Sequence, residues 1–237
     1  MNHRYCVPCL FGLEGLAAEE LRRLQLEQVS AENGRVFFEG DEHALARANF
    51  CLRAGERVMI ELGRFEATSF DALFEQTKAL PWEDWIPKDA AFPVTGHSLN
   101  SKLFSESDCQ KIIKKSVAKR LGNHYGTSWL EESGSLHQIQ FLIIKDKCSI
   151  MLDTTGVGLH KRGYRKNATA APIKETLAAA MADLSRVRPF STVIDPFCGS
   201  GTILIESALK ALNIAPGLHR RFASENWSNI PSAVWSS

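Results

Sequence analysis

The sequence has no marked excess of charge of either sign. Its 28 lysines and arginines nearly balance its 27 acidic residues and leave a formal net charge of +1. A protein-wide attraction to a polyanion is therefore excluded, and any basic surface must be local. No run approaches the ~20 apolar residues of a membrane-spanning helix. Residues 1–12 lack the long apolar stretch and small-residue cleavage site of a signal peptide. We expect a soluble protein that does not bind membranes.

The sequence also lacks a complete set of cysteines or histidines spaced to bind a metal ion. Six scattered cysteines in mostly apolar surroundings predict free thiols in a reducing cytoplasm rather than disulfides. Cys6 and Cys9 form a C-x-x-C, but no second pair of ligands accompanies them, so two buried thiols are favoured over a zinc site. No histidine stands in a spacing such as H-E-x-x-H, and we expect no catalytic metal.

Hydrophobic periodicity divides most of the chain into two α/β blocks. Residues 1–66 read as β-α-β-β-α-β, with an Asn33-Gly34 hairpin signal, which predicts a ferredoxin-like domain. Residues 67–158 form a second α/β block. Its predicted elements are a helix over 69–85 ended or interrupted by Pro81, a strand over 90–100, a helix capped by Ser105 or Ser107 with an apolar stripe of Ile112, Ile113, Val117 and Leu121, and a hairpin over 137–156.

Residues 159–237 have a different texture. A basic connector leads to a helix predicted to start near Ala171-Pro172, and "STVIDPF" (191–197) reads as a strand followed by a helix over 201–212. This is the first β-α unit of a doubly wound, Rossmann-like sheet. The tail reads as a loop, and its residues Trp227 and Trp235 are expected to expose apolar surface if their partner strands are missing, which would favour aggregation or dimerisation. The predicted fold class is α+β.

A run of an acid and two glycines connects that strand to that helix. Its residues are Asp195, Pro196, Phe197, Cys198, Gly199, Ser200, Gly201 and Thr202. An acid at the carboxyl end of a strand stands where open α/β sheets bind ligands. The glycines permit close backbone approach, and the start of a helix suits an anionic group.

Two common nucleotide motifs do not fit this run. Leu204 stands where G-x-G-x-x-G requires its third glycine, and no G-x-x-x-x-G-K-[ST] is present, so dinucleotide and nucleoside triphosphate sites are disfavoured. The arrangement favours S-adenosylmethionine, whose amino acid part is zwitterionic. The alternative is a tight strand-to-helix turn that binds no ligand.

Three local basic clusters are dense enough in lysine and arginine to neutralise phosphates, and they favour RNA binding only together with the family resemblance given below. The candidate RNA-binding residues are Lys102, Lys111, Lys114, Lys115, Lys119, Arg120, Lys161, Arg162, Tyr164 and Arg165. Lys111, Lys115 and Lys119 recur every fourth residue and so share one helix face. His160 and Lys166 extend the second cluster, and 219–221 form the third. A charge run on its own is usually a solvated face.

Four segments together resemble the bacterial THUMP-containing class I RNA methyltransferases, often catalogued as N6-adenine-specific DNA methylases. They are "CLFGLEGLAAEELRRL", "SLNSKLFSESDCQKIIKKSVAKRL", "GLHKRGYRKNATAAPIKETLAAAM" and "VIDPFCGSGTILIESA". The resemblance implies a ferredoxin-like domain over 1–66, a THUMP RNA-binding domain over 67–158, and a linker helix with the start of a methyltransferase domain over 159–237. It also implies that Asp195 to Thr202 line the S-adenosylmethionine pocket and that the complete enzyme methylates guanine N2 in large-subunit rRNA.

The family's base-gripping motif, [N/D]-P-P-[Y/F], is missing, since the prolines after the connector are all unpaired. From Phe190 only 48 residues remain (237 − 190 + 1), against the ~150 or more of such a domain. We therefore expect an N-terminal portion that is inactive alone and carries no catalytic residue. Two alternatives stay open: a non-catalytic THUMP RNA-binding module, and, suggested only by catalogue names, a DNA adenine methylase.

Overall fold

The computed structural model describes residues 2–165 and 172–236, and these form two compact units. The first unit combines the chain up to residue 58 with 157–222, and the second combines 59–156 with 223–236. Each unit is therefore assembled from two separate stretches of sequence. Among the described residues, no helix has the length and apolar character needed to cross a membrane.

The first unit contains a three-stranded antiparallel sheet with helices. Its elements are β1 (His3–Pro8), α1 (Glu14–Arg23), β2 (Glu27–Glu32), β3 (Arg35–Gly40), α2 (Glu42–Cys51), α5 (Glu175–Leu184) and α6 (Thr202–Ala211). β3 pairs with both β1 and β2. Gly34, at φ +73°, makes the predicted hairpin turn, because a left-handed backbone there favours glycine. Asp41 begins α2 by accepting a hydrogen bond from the amide of Ala44 at 2.9 Å.

The second unit contains a four-stranded mixed sheet. Its elements are β4 (Met59–Glu66), α3 (Phe70–Ala79), β5 (Val94–Leu99), α4 (Glu106–Tyr125), β6 (Ile139–Ile144) and β7 (Lys147–Asp153). The strand order is β4-β7-β6-β5, with β5 and β6 parallel and the other pairs antiparallel. α3 ends before Pro81, as predicted, and Ser105 rather than Ser107 caps α4. β4, which the sequence grouped with the first 66 residues, falls in this unit.

The 20-residue helix α4 carries much of the second unit's core. Ile113, Val117 and Leu121 of its predicted apolar stripe are fully buried, whereas Ile112 is half-buried. Burial of each such side chain contributes about 1.5–3 kcal/mol. Gly126, at φ +65°, ends the helix in the left-handed conformation that glycine adopts without strain.

The predicted strand over 191–197 is absent, and this corrects the expected β-α unit. Val193 and Ile194 are 36% and 82% exposed, and Phe190 and Phe197 are almost wholly exposed. A strand's amides and carbonyls need a neighbouring strand, and within 2–165 and 172–236 none pairs with this segment. The following helix, α6, does form. α5 begins at Glu175, later than the predicted start near Pro172, while Ala171 lies outside the described residues.

The tail over 223–236 packs into the second unit, so the expectation that Trp227 exposes apolar surface is wrong. Trp227 is 2% exposed and its ring stacks on that of His137, with centroids 4.4 Å apart and planes 13° from parallel. Its indole nitrogen donates a hydrogen bond to the carbonyl of Leu136 at 2.9 Å. Trp235 is half-buried. The partner surface for this indole thus comes from the segment leading into β6, not from a further strand.

We predict that acid destabilises the second unit through His137. Burial lowers the pKa of His137 from 6.5 to about 4. Between about pH 6.5 and pH 4, this histidine is therefore protonated in the unfolded chain and neutral in the folded chain. Stability should therefore fall by roughly 2–3 kcal/mol between pH 7 and 4.5. All five tryptophans lie in this unit, so urea unfolding followed by tryptophan fluorescence measures it selectively.

His137→Phe is the matched variant, because it keeps an aromatic ring against Trp227 and removes the titrating group. Its loss of stability between pH 7 and 4.5 should be smaller than that of the wild type by the amount given above. Equal losses in the two proteins would show that His137 is not the group responsible.

Candidate functional site

The glycine run forms an open, exposed loop at the start of α6. The Asp195 carboxylate accepts a hydrogen bond from the amide of Phe197 at 3.1 Å. Gly199 and Gly201 have φ values of +52° and +72°, in the left-handed region that favours glycine. A Cβ built at Gly201 would meet nothing within 4 Å, and one at Gly199 only the carbonyl oxygen of Phe197 at 4.0 Å. Valine at position 199 would therefore fail through backbone strain rather than through contacts within the chain.

The first turn of α6 supplies the other half of this loop. Gly201 is the N-cap residue and provides no side-chain cap, so the amides of the first turn have no side-chain acceptor from that position. Amides at a helix start attract anionic groups. The loop thus contains one carboxylate, which attracts an ammonium, and the amides of a helix start, which attract a carboxylate. The open space over the glycines is consistent with close approach of a ligand.

Arg165, in the basic connector that precedes α5, stabilises the start of α6. Its guanidinium donates hydrogen bonds to the hydroxyl oxygen of Thr202 at 2.7 Å and to the carbonyl of Ile173 at 3.2 Å. It also forms an ion pair of 3.1 Å with Glu175, the first residue of α5. Thr202 is 2% exposed. One side chain thus links the connector, the beginning of α5 and the glycine loop.

Arg162 and Glu206 form a second, fully buried connection. Arg162 is 3% exposed, and its guanidinium donates to the carbonyls of Leu159 at 2.8 Å and Arg53 at 2.5 Å. Its Nε lies 3.5 Å from the carboxylate of Glu206, and the Tyr164 hydroxyl donates a hydrogen bond of 2.9 Å to the same carboxylate. Burial raises the pKa of Glu206, although Arg162 and Tyr164 act in the opposite direction. A buried charge is retained only when it is paired in this way.

These contacts correct the second predicted RNA-binding cluster. Arg162, Tyr164 and Arg165 are engaged inside the first unit, and among the four candidates of this cluster Lys161 alone is exposed. Lys166 lies outside the described residues. A signal for this arrangement was present in the sequence. Glu175 precedes the apolar run 177–181 of α5, Glu206 follows the apolar run 203–205 of α6, and an acid buried beside such a run needs a cationic or hydrogen-bonding partner.

The cluster on α4 divides into exposed lysines, of which Lys111 lies 3.3 Å from the Asp108 carboxylate one turn earlier, and cations that residues from other parts of the second unit engage. Lys111, Lys115 and Lys119 are exposed on the helix face where the sequence places them, and Lys102 is exposed in the preceding loop. Lys114 instead lies 2.5 Å from the Glu132 carboxylate and 3.5 Å above the Phe92 ring. These contacts make Lys114 a structural residue.

Arg120 is the second internally paired cation of α4. It donates to both carboxylate oxygens of Glu83, at 2.9 and 2.5 Å, and this lowers the pKa of Glu83 to about 2. In the third cluster, Arg220 donates to the carbonyls of Gly158 and Lys161, at 2.7 and 3.1 Å. Like Lys114, these two arginines make internal contacts that hold the chain together.

Two further expectations concern metals and thiols. All six cysteines are free, and Cys6 of the C-x-x-C pair is buried while Cys9 is half-buried. Burial raises the pKa of Cys9 to about 11, so that thiol stays protonated at neutral pH. Within the part of the chain that the structure describes, no group of three or more histidines, cysteines and acids could hold a metal ion.

Comparison with known sequences identifies the domains that this fold and this loop belong to. A profile of the RlmL ferredoxin-like domain matches residues 4–59, a THUMP profile matches 67–153, and an RMKL-like methyltransferase profile matches 162–234. The chain therefore carries ferredoxin-like, THUMP and methyltransferase domains in that order. These matches confirm the resemblance to THUMP-containing RNA methyltransferases and the α+β fold class.

Individual relatives resemble the chain over nearly its full length. "Putative RNA methyltransferase YpsC" of Bacillus subtilis is 46% identical over 95% of this chain and 59% of its own. A "predicted N6-adenine-specific DNA methylase" from Listeria monocytogenes covers the whole chain at 48% identity and a TM-score of 0.96, and SMU.472, "a putative methyltransferase complexed with SAH", covers 99% at 40% identity and a TM-score of 0.93. The chain spans 62% of each of these two structures.

We predict that Arg165 stabilises the first unit, whereas its neighbour Lys161 does not. Arg165→Ala removes two hydrogen bonds and an ion pair and should lower the free energy of unfolding by about 1.5–3 kcal/mol. Lys161→Ala, at an exposed position in the same cluster, should change it by less than about 0.5 kcal/mol. Urea unfolding followed by far-UV circular dichroism measures both, and equal effects of the two substitutions would contradict this assignment.

Proposed function

We propose that this chain is the RNA-binding portion, with the cofactor loop, of an S-adenosylmethionine-dependent RNA methyltransferase. The observation that carries the proposal is the glycine loop at the start of α6, which Arg165 fastens through Thr202. The names of the relatives support it, since one is titled "a putative methyltransferase complexed with SAH" and another "Putative RNA methyltransferase YpsC". We assign residues 1–66, 67–158 and 159–237 to its three domains; the matched ranges 4–59, 67–153 and 162–234 support the order of these domains, while residues 59–66 pack in the second unit.

The cofactor loop would hold S-adenosylmethionine by opposite charges. The carboxylate of Asp195 suits the ammonium of the cofactor's amino acid part, and the amides at the start of α6 suit its carboxylate. The remaining residues of the proposed site are Pro196, Phe197, Cys198, Gly199, Ser200, Gly201 and Thr202. When bound, the cofactor supplies an activated methyl group on a sulfonium. The role of this chain is to bind and orient it, and none of its residues is proposed to be catalytic.

The exposed lysines of α4 are the proposed RNA contacts. Lys111, Lys115 and Lys119 form one row, to which Lys102 and Lys161 add exposed positive charge. Lysine neutralises phosphates without reading sequence.

The finer assignment, guanine N2 of large-subunit rRNA in the cytoplasm, rests on the family resemblance alone. Loss of N2-methylguanosine from rRNA nucleosides in cells lacking the gene would support it, and unchanged levels would overturn it.

A calorimetric titration with S-adenosylmethionine tests the cofactor site. We predict weak binding by the wild-type chain and none by Asp195→Ala, because the substitution removes the only acid of the loop. RNA affinity should be the same in both proteins. Wild-type RNA binding without any heat of cofactor binding would contradict the cofactor site and would favour a non-catalytic RNA-binding module.

A second prediction concerns the salt dependence of RNA affinity. Replacing Lys111, Lys115 and Lys119 together by Glu should weaken binding and lower the slope of log affinity against log salt by about 2, at ~0.7 per lost phosphate contact. Arg120→Gln is the control, because Glu83 holds that side chain within the chain. An unchanged slope in the triple variant would mean that the lysine row is only a solvated face.

DNA adenine methylation remains a second candidate because the Listeria relative is titled an N6-adenine-specific DNA methylase. The THUMP domain at 67–153 argues for RNA instead. Competition between an rRNA fragment and a DNA duplex of equal length distinguishes the two. Preference for the duplex would overturn the proposed RNA substrate.

A further inference from the structure

A phenylalanine on the second unit is exposed although the backbone around it is firmly held. Phe104, between β5 and α4, is 81% exposed, whereas its neighbour Leu103 is 5% exposed. The hydroxyl of Ser98 donates to the carbonyl of Leu103 at 2.6 Å, and that of Ser101 donates to the carbonyl of Leu99 at 2.9 Å. An ordered loop that buries one apolar side chain and presents the next to solvent suggests a contact site.

A second loop is joined to this one by three hydrogen bonds. This second loop is the β6–β7 turn, whose residues 145 and 146 form the three bonds. The amide of Lys145 donates to the carbonyl of Leu99 at 3.2 Å, the amide of Lys102 donates to the Asp146 carboxylate at 2.7 Å, and the amide of Asp146 donates to the Ser101 hydroxyl at 3.1 Å. Residues 99–104 and 145–147 therefore form one surface, which we name the Phe104 surface.

The Phe104 surface carries three exposed lysines. Lys102, Lys145 and Lys147 are exposed, and across 2–165 and 172–236 no ion pair involves them. Of the nearby acids, Asp146 accepts the amide of Lys102 and Glu106 accepts the amide of Ser98 at 3.2 Å, while the exposed Glu66 lies opposite Lys147 in the β4–β7 ladder. The ammonium groups of Lys102 and Lys145 are therefore the ones left to meet charges from outside the chain.

Backbone conformation points the same way. Lys145 has φ +51°, in the left-handed region where tight hairpin turns favour glycine or asparagine. Lysine is more strained in this conformation than glycine or asparagine, so the lysine side chain destabilises the turn. A cation at this position is useful if it contacts an anionic ligand.

We propose that the Phe104 surface binds an unpaired nucleotide of RNA, with a base stacked on the Phe104 ring and phosphates held by Lys102 and Lys145. Unpaired bases stack on exposed aromatic rings, and lysines neutralise the adjoining phosphates. A protein partner fits less well, because interface cores are depleted of lysine and the apolar area here is confined to Phe104 and the half-exposed Leu99. The inference rests on the proposed RNA-binding function and specifies which part of the RNA is held.

Two RNA probes and two variants test this proposal. The probes are one blunt-ended hairpin closed by a structured tetraloop, whose bases are stacked or paired within the loop, and the same hairpin with a single-stranded extension containing 2-aminopurine, whose fluorescence reports stacking. Phe104→Ala should weaken binding of the extended hairpin about tenfold and abolish the fluorescence change. It should leave the blunt hairpin unaffected. Trp129→Ala is the control, because Trp129 is 77% exposed in the same unit but lies outside the Phe104 surface, and it should change neither probe.

Each other outcome overturns the proposal in a recognisable way. Equal binding of the extended hairpin by Phe104→Ala and wild type, with blunt-hairpin binding intact, overturns the stacking site but not the RNA-binding function. Equal losses in Phe104→Ala and Trp129→Ala, or on both probes, also overturn it. A wild-type chain that binds neither probe overturns the proposed function and the site together. A changed oligomeric state with unchanged RNA affinity would identify Phe104 as a protein contact.

Discussion

The buried guanidinium of Arg162 is the constraint on which the first unit depends. Three carbonyls from residues 52, 53 and 159 and the carboxylate of Glu206 surround it, at distances between 2.5 and 3.5 Å. Removing one partner of such a buried pair costs ~3–5 kcal/mol, because the remaining charge has no water to solvate it. The connector is thereby joined both to the chain's first 58 residues and to the helix that carries the glycine loop.

This constraint changes the meaning of the sequence's basic clusters. Clustered cations first suggested surfaces for a polyanion, but burial and hydrogen bonding divide them into two groups. Arg162, Arg165 and Arg220 neutralise acids or satisfy carbonyls within the first unit, while Lys114 and Arg120 do so within the second. The lysines that remain exposed on α4 and on the Phe104 surface are those available to phosphates. Cofactor binding and RNA binding are thus assigned to different residues, although both draw on basic side chains.

Much of the fold could be predicted from the sequence. The apolar periods of the first 58 residues, the hairpin at Gly34 and the core face of α4 follow from local pattern. The long-range features could not be predicted in this way. A strand at 191–197 fits the apolar pattern, yet a strand exists only when its backbone groups find a partner strand. Likewise, no local signal joins Trp227 to His137, 90 residues earlier (227 − 137). The glycine loop was predictable because its backbone requirement is local, whereas the support from Arg165 depends on tertiary contacts.

Arg162 holds α6, the helix that carries the glycine loop, through Glu206 and does not bind RNA. Amide hydrogen exchange across 199–206, measured beside RNA affinity in the wild type and in Arg162→Lys, tests this role most directly. Lysine keeps the charge but lacks the planar fork that reaches three carbonyls. We expect faster exchange in the first turn of α6 in Arg162→Lys, with unchanged RNA affinity. Unchanged exchange together with weakened RNA binding would contradict this role of Arg162.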